Sequence, residues 1–200
     1  MVALLLAASW WLLYHPEYGR DVRTFGSIFA HAMFDELRGA PGTAALARSA
    51  RFDDGDVAFD YPAVLRARAD DDDTDPRGWD FDYGMFSLRL GAPGELDAET
   101  YLSLLADTFA DGSRIDAEGP MPGRTAVVCG KEQVATRIRV RMMGSWSAME
   151  GFDVPTGDGQ TRMLIFDDEE AGSLETQLAH ATYARVLGTL RCAAGSAPAD

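Results

Sequence analysis

A chain of 200 residues has room for one domain of about 140 residues plus an appendage, and a body of that size can bury about two thirds of its unfolded surface without metals or staples. Its formal net charge of −14 argues against a general nucleic-acid binder, because an acidic surface repels phosphate backbones, and it disfavours adsorption to anionic lipid. The same charge suits a solvated surface, cationic partners or cations.

Val2 to Tyr14 carries no charge. As a helix it would span about 20 Å, short of the roughly 30 Å hydrocarbon core of a bilayer. Trp10, Trp11 and Tyr14 crowd its end, as anchoring aromatics do at a membrane interface, and Pro16 breaks it. Residues 1–21 therefore read as an apolar anchor, uncleaved or the tail of a longer one, or as a signal-like segment, meeting the membrane through residues 1–14. A buried core helix is the alternative. Val22 to Leu37 has apolar residues at helical spacing, and Gly39 to Ala44 reads as a linker, so residues 22–50 form an amphipathic helix and a connection.

Residues 51–192 are expected to form the folded body, with 193–200 a disordered tail. Val57 to Tyr61 is its first strand, with Val57, Phe59 and Tyr61 on one face. Val64 to Ala69 reads as a second strand, with Leu65, Ala67 and Ala69 alternating against Arg66 and Arg68. After the acidic loop Asp70 to Asp75, the apolar positions Trp79, Phe81 and Tyr83 resume out of phase as Phe86, Leu88 and Leu90, which a β-bulge at Gly84 would explain. Asp97 is placed to cap a helix to about Ala110, with Tyr101, Leu102, Leu105 and Phe109 as its stripe. A turn over Pro120 to Gly123 leads into a strand from Arg124 to Cys129. In Val134 to Met142, the residues Val134, Ile138, Val140 and Met142 are expected to face inward, and Arg137, Arg139 and Arg141 outward. Gly144 to Gly151 reads as a turn or a short strand. Arg162 to Asp167 is a buried strand. Ser173 caps a closing helix, Leu174 to Arg191, that packs through Ala179, Tyr183, Val186, Leu187 and Leu190. The fold class is α+β: an antiparallel sheet with flanking helices and a long C-terminal helix.

The order of elements resembles the Mog1/PsbP-like family, over roughly residues 55–192. The carrying segments are FDYP (Phe59 to Pro62), LDAETYLSLL (Leu96 to Leu105), GRTAV (Gly123 to Val127) and YARVLGTLR (Tyr183 to Arg191). The chain departs from the family where the acidic loop between Asp70 and Trp79 replaces a Trp-containing turn. The resemblance implies a non-enzymatic accessory, assembly or binding module, with no partner motif that transfers residue by residue. A START-like helix-grip, with an apolar pocket between sheet and closing helix, is the alternative layout.

Tests for chemistry return little. The acid pairs lie in runs, mostly in loops, where they share one solvated environment instead of the unlike environments that acid–base catalysis needs. Asp71, Asp73 and Asp75 have alternating spacing, but Pro76 and Asp82 stand where an EF-hand needs glycine and glutamate, leaving at most a weak loop site for a hard cation. His15, His31 and His180 are dispersed, and no nucleophile elbow, phosphate loop or dinucleotide motif occurs. Arg137, Arg139 and Arg141 are the candidate partner-binding face, and otherwise a wet strand face paired with carboxylates. Cys129 and Cys192 form no Cys-x-x-Cys pair, and whether they bond to each other stays open. The expectation is a membrane-tethered, non-catalytic module that binds an unknown protein, needs no cofactor and sits at the cell envelope. A small apolar ligand carrier or a weak cation-binding domain is the alternative.

Overall fold

The computed structural model describes residues 41–69, 78–84, 86–112, 116–142, 145–169 and 175–193. The apolar segment Val2 to Tyr14, the helix read over Val22 to Leu37, the acidic loop with Asp71, Asp73 and Asp75, and Ser173 lie outside these residues. No helix among the described residues is long and apolar enough to cross a membrane.

A single helical turn, α1 (Thr43–Leu46), falls where the GAPGTA segment suggested only a connection. It leads into β1 (Ser49–Asp53), which the sequence reading missed because its face alternates only weakly. β1 pairs antiparallel with β2 (Val57–Pro62), and β2 buries Val57, Phe59 and Tyr61 as its alternation predicts. These strands form a small sheet, completed at the far end of the chain by β10 (Arg191–Cys192) on the other edge of β2. Arg191 and Cys192 thus leave the closing helix, contrary to the expected boundary.

The larger sheet has seven antiparallel strands. Its first half is the meander of β3 (Arg66–Ala69), β4 (Trp79–Tyr83) and β5 (Phe86–Leu90). Its second half is the meander of β6 (Asp116–Val128), β7 (Lys131–Met142), β8 (Ser145–Pro155) and β9 (Thr161–Glu169). The halves join where β5 pairs with β9, giving the order β3-β4-β5-β9-β8-β7-β6. Helix α2 (Ala98–Gly112) crosses from β5 to the edge strand β6, and α3 (Glu175–Thr189) follows β9.

Several boundaries differ from expectation for identifiable reasons. The phase shift at Gly84 comes from a hairpin and not from a bulge. Tyr83 pairs with Phe86 across a two-residue connection, where Gly84 has φ 61°. Chain reversal over two residues puts positions i and i+3 opposite each other on one face, so the apolar phase changes without an extra residue. The predicted turn at Pro120 to Gly123 lies within β6, which shifts register there. An edge strand can hold prolines because one side of its backbone has no ladder to complete. The ambiguous segment Gly144 to Gly151 mostly belongs to β8, in which Ser145 to Gly151 pair with β7 and Ser147 to Pro155 pair with β9.

The two faces of the large sheet are covered by different layers. On one face, Phe52, Phe59 and Tyr61 of the small sheet meet Phe81 of β4, with ring centroids 4.9–5.4 Å apart. Beside them, Tyr183 of α3 meets Phe166 of β9 and Phe152 of β8. On the other face, Ala98, Leu102 and Ala106 of α2 pack on Ile138, Val140, Met163 and Ile165. β9 shows the division most plainly, with Met163 and Ile165 under α2 and Leu164 and Phe166 in the aromatic layer. This strand is buried on both sides, which is why it reads as a continuous apolar run.

α2 is held down at its start and at its closest approach. Asp97 caps it, accepting a 2.7 Å hydrogen bond from the Thr100 amide, and Asp153 of β8 accepts one of 2.8 Å from the Ala98 amide. Gly151 lies beneath the helix. A Cβ there would come within 2.6 Å of Ile165 Cδ1 and 2.8 Å of Ala98 Cβ. Gly151→Ala should therefore lift α2 and cost about 1–3 kcal/mol, measured by urea denaturation of the full chain. Hydrogen bonds from the Thr100 amide and hydroxyl hold the Asp97 carboxyl below its usual range. A depressed folded-state pKa gives stability that is present above the unfolded value and lost as pH falls through the folded one. Asp97→Ala should cost about 1 kcal/mol at neutral pH, and the gap from wild type should close in denaturation curves below the carboxylate range.

Candidate functional site

The covering layers are offset, and this decides where charge remains on the large sheet. The small sheet and α3 cover one face over β4, β5, β9, β8 and the β6–β7 hairpin, so side chains of β7 from Arg137 onward and of the start of β6 on that face run beyond them. The arginine stripe falls there. Exposure rises along it, from 21% for the Arg137 side chain to 29% for Arg139 and 49% for Arg141, as the strand leaves the cover.

Each stripe arginine meets a carboxylate of a neighbouring strand. Arg137 pairs with Glu150 of β8 at 3.0 Å, Arg139 with Glu118 of β6 at 2.9 Å, and Arg141 with Asp116 of β6 at 3.7 Å. The Arg139 guanidinium also lies 4.6 Å from the Trp146 ring centroid. The stripe is a half-covered, internally paired face, not three cations standing in water. Val134 behaves oppositely to expectation. It shares the face of Ile138 and Val140 but lies past the helix, and it is 59% exposed.

Glu150 was not singled out from the sequence, yet it is the most consequential polar group here. It is fully buried and accepts from Arg124 and Arg137 at 3.0 Å each. Arg124 in turn lies 4.5 Å from the Tyr183 ring centroid, linking the edge strand to α3. The available signal was phase. Glu150 alternates with Ala148 and Phe152 on an apolar face, and such a carboxylate needs a cationic partner. Removing one partner of a buried pair leaves an uncompensated charge, so Glu150→Ala should cost about 3–5 kcal/mol. Replacing Glu150, Arg124 and Arg137 together with apolar residues of similar volume should recover much of that loss in the same thermal or urea melts.

A second buried cation ties the layers together. Arg162 of β9 is 1% exposed, donates from Nε to the Gly91 carbonyl at 2.8 Å, and pairs with Asp54 in the β1–β2 turn. Asp54 also accepts from the Val57 amide. Cys129 and Cys192 are joined in a disulfide, which connects the β6–β7 turn to β10. Cys129 has φ 52° and is followed by Gly130 at 79°, the backbone of a tight hairpin turn.

On the opposite face the uncovered end is β3, β4 and β5. Cross-strand pairs line it: Arg66 with Asp82, Arg68 with Asp80 and Asp82, and Arg89 with Asp80. Asp167 accepts 2.8 Å bonds from both the amide and the hydroxyl of Ser87. Arg89 lies 5.8 Å from the Tyr101 ring centroid, and burial raises the Tyr101 phenol above its ordinary pKa. These charges form a lattice of surface pairs.

The interior between sheet and α3, where a START-like pocket would lie, is filled by buried Phe152, Phe166, Leu178 and Val186 with Tyr183 against them. A concavity of about 630 Å³ lies elsewhere, between the outer side of α2 and strands β7 and β8. Its lining includes Asp97, Glu99, Leu104, Asp107, Val134 and Asp153. No group of three His, Cys, Asp or Glu side chains suited to a metal ion occurs among the described residues. The candidate cation ligands Asp71, Asp73 and Asp75 fall outside them.

No family model matches the chain, and no curated protein matches it. Among solved structures it is similar to LpqN, described as involved in cell envelope biogenesis of Mycobacterium tuberculosis, at 13% identity and a TM-score of 0.38, over 72% of this chain and 90% of that one.

Proposed function

We propose that this chain is a non-catalytic binding module of Mog1/PsbP-like layout, tethered to a membrane through its N-terminal residues 1–14 and acting by protein–protein contact in an oxidising, envelope-side compartment. The observation that carries the compartment is the disulfide between Cys129 and Cys192, because such bonds persist where thiols are not kept reduced. The non-catalytic reading is supported by how the charged groups are used. Glu150, Glu118 and Asp116 engage the arginine stripe, and the opposite face pairs its own acids and bases, as a scaffold surface does. The aromatic filling under α3 weighs against the apolar-ligand carrier, which needs open volume there.

The test uses the tagged full chain in its own cells. Alkylation of intact cells should leave Cys129 and Cys192 unmodified until a reductant is added. Membrane fractionation should retain the chain and release it when residues 1–21 are deleted. Photocrosslinking from surface positions should yield a discrete adduct with another protein. Prompt thiol labelling would overturn the compartment, unchanged fractionation the tether, and adducts no stronger than background across several growth conditions the binding role.

A further inference from the structure

The concavity beside α2 is built from two kinds of surface. Leu104 of α2 is 54% exposed and Val134 of β7 is 59% exposed, and both line it. Among the described residues, Val127 alone joins them as an exposed large hydrophobic side chain, so most such surface is gathered in one place. Single exposed apolar residues are ordinary on a protein surface, but two in one concavity are a contact for something apolar. Around them stand Asp97, Glu99, Asp107 and Asp153, and among the described residues no arginine, lysine or histidine lines the groove.

These carboxylates differ in what they already do. Asp97 and Asp153 receive amide hydrogen bonds at the start of α2, whose positive end offsets part of their charge. Glu99 and Asp107 stand on the exposed side of the same helix. The acids do not gather as a metal site, and an apolar floor is no use to a bare cation. What the groove presents is the side chains that line it, among them Leu104, Val134 and the carboxylates, so an incoming chain is read by those side chains.

We propose that this groove takes an extended cationic peptide segment of a partner protein, with an aliphatic side chain on Leu104 and Val134 and flanking arginine or lysine residues against Glu99 and Asp107. The acidic chain, at −14 overall, draws such a segment in, and the apolar floor sets its register. The inference rests on the binding-module reading and deepens it by stating the partner's chemistry.

The experiment titrates the oxidised full chain against a fluorescein-labelled peptide of alternating arginine and leucine, read by fluorescence polarisation. Parallel titrations use a peptide with glutamate for arginine, one with serine for leucine, and spermine as competitor. Saturable binding of the arginine–leucine peptide is expected, weakening as salt rises. Glu99→Lys with Asp107→Lys should weaken it at least about tenfold, since like charges then face each other across the contact. Leu104→Ser with Val134→Ser should weaken it about fivefold by removing the apolar floor. Asp53→Lys with Asp56→Lys, the same change in net charge away from the groove, should leave affinity within about twofold. Circular dichroism melts of each variant confirm folding.

Equal weakening by the distant reversal would reduce the effect to net charge and overturn the groove. So would unchanged binding in the groove variants, equal binding of the serine peptide, or displacement by spermine at matched charge. If a partner crosslinked in cells is retained by Glu99→Lys with Asp107→Lys, the groove assignment falls while the binding-module reading stands. If neither peptide binding nor a crosslinked partner is found, both fall.

Discussion

A seven-stranded sheet has two faces to keep from water, and here the layers that cover them are offset along the strand order. The small sheet and α3 sit over β4, β5, β9, β8 and the β6–β7 hairpin on one side, while α2 sits over β9, β8, β7 and the start of β6 on the other. Only the central strands are covered twice. Each end of the sheet is apolar on one face and charged on the other, and the charged ends lie diagonally opposite. Burial of apolar area favours covering the sheet, and the layers among the described residues leave part of each face uncovered.

From this offset the charge pattern follows. Arginines on β7 and acids on β6 and β8 occupy the uncovered corner of one face, and Arg66, Arg68, Asp80 and Asp82 that of the other. Directly opposed strands bring unlike charges within reach, so pairing across strands satisfies both without an external partner. Where the corner meets the core the same pattern becomes buried. Glu150 loses its water, and Arg124 and Arg137 replace it. Arg162 does likewise at the junction with the small sheet, where Gly91 and Asp54 supply the oxygen atoms. Buried ion pairs add little net stability over apolar packing, but they penalise every arrangement that separates them. Here the Glu150 pairs join three strands of the large sheet, and Arg162 with Asp54 joins that sheet to the small one.

The N- and C-terminal ends of the described fold meet in the small sheet. β10 pairs with β2, Thr189 accepts from the Asp60 amide at 2.8 Å, and Arg185 donates to the Leu46 and Arg48 carbonyls. The disulfide adds a covalent tie from this sheet to the β6–β7 hairpin. α3 is therefore secured through its terminal turns as well as its apolar face. The groove beside α2 lies on the opposite side of the large sheet, built on a capped helix and interior strands.

Local pattern determined much about this protein. Alternation identified β2, β4, β5 and β7, a continuous apolar run identified β9, the Asp97 cap located the start of α2, and the α+β class follows from them, because side-chain pattern and capping chemistry are written in neighbouring residues. Tertiary structure alone decided what depends on residues distant in sequence. It assigned β1 and β10 to one sheet with β2, placed Pro120 to Gly123 in an edge strand, and turned the phase change at Gly84 into a hairpin. It also joined Cys129 to Cys192 across a sequence separation of 63. The arginine stripe was legible as a periodicity, but its partners were not, since Glu118, Glu150 and Asp116 come to it through strand register. Val134 shows the limit most clearly. Its period matches that of Ile138 and Val140, and only the position of α2 leaves it exposed in a groove beside Leu104, because a strand's alternation specifies which face a residue is on and not how far the covering layer extends.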